Sequence, residues 1–251
     1  MKYRSNTYKS KWVKTKWLMG SGKIRAYVPA TKPFSRNNLQ EMMGRFATVY
    51  CKPTSGSGGA GIMRVKKKNG GYLLQHATGQ SRLGSMDSLY ARMKSRIGGR
   101  SYLLQKGISL AKSNGRPFDT RVMVQKTNQG KWVSTALFTK IGRPGKVATN
   151  YKQGGSIGYF RHTMAGAGFG AGRISSKETE LKRLGRQVGG VFDRRGKGFR
   201  ELGLDVAMDG DGRVWILEVN TSPQFYPLKN MKDKSLYRRI MSYAKQYGRK
   251  G

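Results

Sequence analysis

Acidic residues are scarce in this chain of 251 residues: 12 Asp and Glu stand against 50 Lys and Arg, for a formal charge of +38. Thiols and imidazoles are scarcer still. The single cysteine, Cys51, excludes an internal disulfide and any cysteine-cluster metal centre. It is expected to be a buried strand residue rather than a nucleophile. His76 and His162 have no partners at metal-ligand spacing and are expected to be structural or surface residues. No apolar run approaches the ~18 residues of a membrane span, and the start MKYRSNTYKSKWVKTKWLMG lacks the apolar stretch of a secretory signal. A cytoplasmic location is therefore the expectation. There is no GK[ST] phosphate-loop pattern, no HRD or DFG kinase signature and no internal repeat.

What is present is enough for a core. Hydrophobic residues make up 37% and aromatics 10%, which suits one large domain or two lobes, while 35 glycines imply many tight turns. The positive charge is spread along the chain. Residues 1–36 hold ten Lys and Arg and no acid, interleaved with Tyr3, Tyr8, Trp12, Trp17 and Tyr27. Further clusters fall at Arg64–Lys68, Arg92–Arg100 and Arg173–Arg200. Charge spread this widely must repel itself unless an anionic partner is near, so it points to a polyanion, such as RNA, DNA or an acidic or phosphorylated protein. Solubility alone is the competing explanation.

Against that background the carboxylates are concentrated. Five of the 12 acids, Glu201, Asp205, Asp209, Asp211 and Glu218, fall in the stretch ELGLDVAMDGDGRVWILEVNTSPQF (Glu201–Phe225). Asp209-Gly210-Asp211-Gly212 is a hairpin signal between two apolar runs. Centring the turn on Gly210-Asp211 predicts that Leu204, Val206, Met208, Trp215, Leu217 and Val219 share the core side. Asp205, Glu218 and Asn220 then share the other side, with Asp205 opposite Ile216 and diagonal to Glu218 at the ~7–8 Å typical of diagonal neighbours. Oxygen ligands without His or Cys suit magnesium. An EF-hand loop is excluded, because its first position would be Ala207 and its flanks read as strands. A surface hairpin with an acidic turn accounts for Asp209 and Asp211. It accounts poorly for Glu218, which interrupts the apolar run Val214–Val219.

Along the rest of the chain, a short helix is expected at Asn38–Phe46, and strands at Ala47–Lys52, Ile62–Val65, Tyr72–Gln75, Ser101–Gln105, Arg121–Gln125 and Trp132–Thr139. Ser175-x-x-Glu178 reads as a capping box opening a helix to Phe192, and Leu236 to Tyr247 read as a basic amphipathic helix packed on the core. Gly56-Ser57-Gly58-Gly59-Ala60-Gly61 matches GxGxxG, but a strand rather than a helix should follow it. A glycine loop between two strands makes a flap that can lay backbone N–H groups over phosphates, with Lys52 supplying charge at the end of the incoming strand; a flexible turn is the plainer alternative. Asp119 and Arg121 share one strand face, either as an internal salt bridge or with Arg121 free to stabilise charge in a phosphoryl transfer. Asn150 with Gly154-Gly155 reads as a loop approaching a ligand.

In this order, the motifs resemble the ATP-grasp superfamily. Lys52-Pro53 and the glycine flap are similar to its small-lobe lysine and phosphate loop. Asp205 and Glu218-Val219-Asn220 are similar to its magnesium ligands. Asp119-x-Arg121, a basic residue at Lys140 and Asn150-x-x-x-Gly154-Gly155 look more like the ribosomal-protein glutamate ligase branch than the D-alanine ligase branch. Lys11-Trp12, Tyr27–Ser35, Val49–Pro53, Gly115–Val122 and Glu201–Asp205 resemble the endospore coat-associated YheC/YheD type. The resemblance implies an α+β fold of two α/β lobes with antiparallel sheets and ATP between them. Its expected parts are a basic N-terminal segment (1–36), a small lobe (37–107) and a large lobe (108–251). It further implies ATP-dependent carboxylate–amine ligation through an acyl phosphate. ATP would be held by Lys52, Ser57, Gly58, Gly59, Gly61, Gln105, Lys106 and Asp119, with Leu103–Lys106 against adenine. Arg121, Lys140 and Asn150 would be the catalytic residues, and Asp205, Glu218 and Asn220 would hold Mg2+. A mother-cell or spore-coat location is implied in the same way. Such relatives often carry a further N-terminal domain, which residues 1–36 are expected to be too few to build. Gln224 follows Pro223 where glycine is common, and Lys140 replaces an Arg. The alternative from another class is a spore-coat or nucleic-acid-associated structural protein that keeps ATP binding with little turnover.

Overall fold

Two antiparallel sheets, each with its own apolar core, organise the chain; the computed structural model describes residues 2–56, 58–142 and 154–250. Helix α1 (Lys11–Met19), strand β1 (Thr31–Pro33) and helix α2 (Arg36–Arg45) precede strands β2 (Thr48–Pro53), β3 (Met63–Lys68), β4 (Gly71–His76) and β5 (Gly79–Leu83), helix α3 (Met86–Ile97) and strand β6 (Tyr102–Lys106). These strands form the first sheet in the order β1-β6-β2-β3-β4-β5. Helices α2 and α3 start at serine caps, where Ser35 accepts from the Asn38 N–H and Ser85 from that of Ser88. They bury Leu39, Met42, Met43, Leu89, Met93 and Ile97 against Val49, Val65, Leu74, Leu104 and the thiol of Cys51. Burial pushes the Cys51 thiol far up, as suits a packing residue. The loop between β2 and β3 joins paired strands, with Cys51 opposite Met63, so the glycine segment is a strand–loop–strand flap.

The second sheet collects β7 (Lys112–Ser113), β8 (Arg116–Lys126), β9 (Trp132–Ile141), β10 (Ser156–Tyr159), β11 (Glu201–Met208) and β12 (Val214–Asn220), with the main path β10-β9-β8-β11-β12. Helix α4 (Phe160–Ala165) and the long α5 (Ala171–Asp193) cover one face, where Leu181, Leu184, Val188 and Phe192 meet Val122, Val124, Leu202 and Leu204. On the opposite face α6 (Ser235–Ala244) packs Ile240 on Met123, Ala136 and Phe138. Alternation along β8 sends Asp119, Arg121, Met123 and Gln125 to this second face. It is covered by α6 at the Gln125 end and open at the Asp119 end.

Residues 1–36, set apart in the sequence by their charge, divide between the two bodies. Leu18 and Ile24 join the large core, and the chain before them is tied down by Arg4 N–H to the Tyr247 carbonyl at 2.9 Å and Tyr8 N–H to Thr221 Oγ1 at 2.8 Å. Thr31–Pro33 instead pairs with β6 in the small sheet.

Two local expectations are corrected. Helix α5 begins at Ala171, a turn before Ser175, on Gly170 without a side-chain cap. Ile174 is buried there, which carries the helix backwards, and Glu178 pairs with Arg161 at 2.8 Å and with Lys182 rather than closing a box. In the β11–β12 hairpin a bulge at Asp205/Val206 shifts the register, so Asp205 lies directly opposite Glu218, while Val206 faces Ile216. The turn is also one residue longer than expected, closed by Asp209 N–H to the Arg213 carbonyl at 3.1 Å, so Met208 faces Val214 and the alternation of β12 flips, with Leu217 as the extra residue of the bulge. Val214, Ile216 and Val219 share the core with Leu204, Val206 and Met208, whereas Trp215 and Leu217 do not. Asp209 pins the turn itself, accepting from Arg213 N–H at 2.8 Å and from Trp215 Nε1 at 3.1 Å.

Candidate functional site

Between the two sheets lies a cleft of about 490 Å³, lined on one side by Tyr50, Lys52, the flap and Gln105, and on the other by Asp119, Arg121, Lys140, Asp205, Glu218 and Asn220. This is a typical size for a small-molecule site. The flap keeps its shape through glycine. Gly61 sits at φ +72°, and a Cβ there would meet the Tyr102 hydroxyl at 2.8 Å and Pro53 at 3.2 Å. Gly58 and Gly59 are also left-handed and line the cleft. Ser57 and Asn150 lie outside the described residues.

On the small-sheet side, Lys52 Nζ donates to Gln105 Oε1 at 2.7 Å, and Gln105 Nε2 reaches Thr31 Oγ1 at 3.3 Å and the Leu217 carbonyl at 3.4 Å. Burial lowers the Lys52 pKa, and the nearby Glu218, Asp205 and Asp119 carboxylates work against that shift. Gln105 thus orients a lysine and ties the two sheets together. Lys106 lies 4.8 Å above the Trp215 ring. That stacking uses the very residue that the longer turn carries away from the large core.

On the large-sheet side the charges interlock. Arg121 pairs with Asp205, and Asp119 with Lys140. Arg121 Nε donates to Asp205 Oδ1 at 2.7 Å and Nη1 to the Gln224 carbonyl at 3.1 Å, while Lys140 bridges Asp119 at 2.9 Å and Asp205 at 3.0 Å. Strand pairing explains the choice, since Asp119 faces Lys140 and Arg121 faces Asp205 in the ladders. Burial alone raises the Asp205 pKa, but Arg121 and Lys140 reverse this and hold the carboxyl well below the usual range. Burial likewise lowers Lys140, and Asp119 and Asp205 bring it back above its ordinary value.

The donor set fits a hard cation: Asp205 and Glu218 face each other across one strand pair, and Asn220 Nδ2 lies 3.2 Å from Asp205 Oδ2. Glu218 is the more available ligand. Its side chain is 26% exposed and, among the described residues, its ion-pair partner is Lys11 Nζ at 3.4 Å, whereas both oxygens of Asp205 are engaged. Counting Lys11, Lys52, Lys106, Arg121 and Lys140 against Asp119, Asp205 and Glu218, cations exceed anions among the described residues that line the cleft. Such a site suits a polyanionic ligand accompanied by a divalent cation.

Lys11, Tyr50, Phe138, Ile157 and Tyr226 also line the cleft and went unremarked in the sequence as site residues. Lys11 left one signal, its place three before Lys14 on one face of a serine-capped helix. Tyr50, Phe138 and Ile157 left none, because their strand positions look like those of any core-facing residue, and Tyr226 left none in the short turn of helix after Phe225.

The sequence profile described as YheC/D-like ATP-grasp matches residues 1–250. The endospore coat-associated protein YheD of Bacillus subtilis (strain 168) is 26% identical over 251 residues, covering 96% of this chain and 54% of that protein. Its counterpart YheC from the same organism is 23% identical over 222 residues, covering 85% and 59%. The chain therefore spans a little over half the length of these curated relatives. Among solved structures, the ADP complex of purK, N5-carboxyaminoimidazole ribonucleotide synthetase, superposes with a TM-score of 0.54 at 12% identity over 95% of this chain and 52% of that one. The C-terminal domain of K. lactis Pby1, described as an ATP-grasp enzyme interacting with the mRNA decapping enzyme Dcp2, gives 0.56 at 14% identity over 96% and 74%. At such identities the likeness speaks for the fold, two lobes with antiparallel sheets as the sequence implied. With a profile match from end to end and the two-lobed architecture to go with it, the chain belongs to the YheC/D-like ATP-grasp family.

Proposed function

We propose that this protein is an ATP-dependent ligase that joins a carboxylate to an amine. The observation that supports this best is the facing arrangement of Lys52 and the glycine flap on one wall of the cleft with Asp205, Glu218 and Asn220 on the other. ATP would lie between them, its phosphates under Ser57, Gly58, Gly59 and Gly61, with Gln105, Lys106 and Asp119 completing the nucleotide site. A substrate carboxylate oxygen attacks the γ-phosphorus, and the bond to the β-phosphate oxygen breaks, leaving ADP and an acyl phosphate. An amine nitrogen then attacks the acyl carbon, loses a proton and releases inorganic phosphate. Arg121 and Lys140, with Asn150, would stabilise the charge that develops on the transferring group. Asp205, Glu218 and Asn220 would hold magnesium, which when bound neutralises phosphate charge.

The relatives' names carry a spore-coat association, which we extend to this chain, and the +38 charge favours an acceptor bound to a polyanion or built as an acidic peptide. A second reading, nucleotide binding with little turnover in a structural role, is favoured by one observation: both oxygens of Asp205 are already engaged by Arg121, Lys140 and Asn220.

Calorimetry with ATP and magnesium tests the binding step. Wild type is expected to bind, and Glu218→Ala to bind at least about tenfold more weakly, the order of one charge-assisted contact. Unchanged binding by the variant, or none by wild type, overturns the proposal. Phosphate release across amino acids and acidic peptides then separates ligation from binding alone. For the polyanion, affinity for RNA should fall steeply with salt, and a flat response counts against it.

A further inference from the structure

The two faces of the small sheet differ in charge. One face buries Met63, Val65 and Leu74 under α2 and α3. Alternation along β3 sends Arg64, Lys66 and Lys68 to the other face, the one on which Tyr50 and Lys52 line the cleft. In the ladders Arg64 lies opposite Tyr50, and Lys66 lies between Thr48 and Leu73, with Arg82 beyond Leu73. The three β3 cations thus form a row about 13 Å long, at ~3.3 Å per residue. The row runs from the β3–β4 turn to the glycine flap, where Ile62, just before β3, lines the cleft.

No acid answers this row. Residues 42–86 contain no Asp or Glu. The acids that flank this stretch, Glu41 and Asp87, belong to the helices on the covered face and are already paired with Lys32 and Arg36. Elsewhere the chain compensates its basic stretches: along α5, Glu178 pairs with Arg161 and Lys182, Glu180 with Lys177, and Asp193 with Lys126. Among the described residues, Arg64, Lys66, Lys68 and Arg82 pair with no carboxylate, and Arg64 donates to Gln75 instead. Crowding is felt at Lys66, whose pKa is lowered first by Arg64, then by burial and by Lys68.

A line of uncompensated cations attracts an anion of matching spacing. An extended acidic peptide presents alternate side chains about 6.6 Å apart, which is also the step from Arg64 to Lys66 to Lys68. A single-stranded nucleic acid gains much of its affinity from bases stacked on exposed aromatic rings. Among the described residues of these strands the open face offers Tyr50, which already has Lys52 Nζ above its ring at 5.9 Å, while Tyr72 packs on the covered side. The peptide is therefore the better match.

We infer that the open face of β3, β4 and β5 is a docking surface for an acidic peptide, which it leads along Arg64, Lys66 and Lys68 toward the flap and the mouth of the cleft. This rests on the ligase reading above and names its partner, the acidic segment being the one that carries a group to be joined. Lys68 and Arg82 hold the distant part of the peptide, and Arg64 holds the part nearest the site.

The test uses the full chain with a polyglutamate peptide as probe and polyuridylate of equal charge as its rival, by fluorescence anisotropy over a range of salt. Arg64→Gln, Lys66→Gln and Lys68→Gln combined should raise the dissociation constant for polyglutamate about tenfold, the sum of three exposed charge pairs. Arg183→Gln, Arg186→Gln and Arg194→Gln combined remove the same charge at α5 and should change it less than about twofold, because salt screens distant charges. Affinity for ATP should be equal in all three proteins. In the wild type, polyglutamate should slow acylation of Lys66 and Lys68 by an amine-reactive reagent and leave Lys232 unaffected, a measurement that needs no variant. No binding of polyglutamate, equal losses in the two variants, tighter binding of polyuridylate, or unprotected Lys66 and Lys68 each overturn the inference and leave the ligase reading standing. Weakened ATP binding by the first variant also overturns it, by assigning the row to the nucleotide site. Polyglutamate binding with Lys66 and Lys68 protected, but without any binding of ATP, overturns the ligase reading and keeps the surface.

Discussion

Strand β11 carries two acids on one face, four residues apart, and they have opposite surroundings. At its start Glu201 is fully buried; Tyr3 donates to Oε1 at 2.7 Å, Tyr247 to Oε2 at 2.8 Å, and Arg249 pairs with it as well. All these partners come from the two chain ends, and α6 closes the space above. Asp205 is just as heavily paired, but its partners Arg121 and Lys140 line an open cleft. The same chemical device, a carboxylate against a guanidinium, is a clasp where it is sealed and a candidate site where a ligand can compete for it. What distinguishes the two is access, since charge and hydrogen bonding are alike.

The strongest way to break that comparison is to remove each acid in turn. Glu201→Ala leaves a guanidinium and two hydroxyls facing an empty buried space, and should destabilise the fold by about 3–5 kcal/mol. Affinity for ATP per folded molecule should stay at the wild-type level. Asp205→Asn should cost only about 1–3 kcal/mol, because water from the cleft can solvate Arg121 and Lys140, but should abolish magnesium-dependent nucleotide binding. Denaturant unfolding and calorimetry on both variants check this. Equal losses of stability would mean that access does not separate the two acids.

Between the acids stands Gly203, and it ties the two ends together. A Cβ there would meet Pro223 Cβ at 2.5 Å and Arg121 Cδ at 3.1 Å. Pro223 also accepts from Arg249 Nη2 at 2.8 Å, so a displaced Pro223 disturbs the clasp while a displaced Arg121 disturbs the site. Gly203→Ala is expected to lose about 1–3 kcal/mol and, unlike Glu201→Ala, to weaken nucleotide binding as well. A stability loss with intact binding would show that backbone movement at Pro223 absorbs the clash alone.

The sequence made some of this visible. Apolar alternation marked the core strands, and a carboxylate interrupting Val214–Val219 marked Glu218. The motif order around Lys52, Asp119 and Arg121 marked the fold. The register was hidden, since nothing in DVAMDGDGRVWILEV distinguishes a turn centred on Gly210-Asp211 from one a residue longer, or announces the bulge at Asp205/Val206; the faces expected for Trp215 and Leu217 are reversed as a result. Glu201 was counted with the acidic cluster because proximity in sequence cannot say that Tyr3 and Arg249, from the far ends of the chain, will enclose it. Lys11 was hidden for the same reason: its partners Gly56 and Glu218 are long-range, and a lysine on a basic segment looks solvated.

The two ends should also fail at opposite ends of the pH scale, an effect smaller than either substitution. Burial and then the Glu201 carboxylate raise the Tyr247 pKa, so its phenol stays neutral in the folded chain when an unfolded tyrosine, near pH 10, would ionise. Its contribution is complete below about pH 10 and is lost as pH rises, at about 1.4 kcal/mol per unit. Tyr3 shifts the same way but is partly exposed and adds less. Asp205 has the reverse sign. Its folded pKa lies below the unfolded value, so its contribution is present above about pH 4 and is lost as pH falls. Unfolding free energy measured against pH in wild type, Tyr247→Phe and Asp205→Asn separates the two limbs. The first variant should flatten the alkaline limb and leave the acid one, and the second should do the opposite. If saturating ATP with magnesium changes the acid limb of wild type and of Tyr247→Phe alike and leaves the alkaline limb of wild type as it was, the ligand acts at the Asp205 end and leaves the Glu201 end untouched.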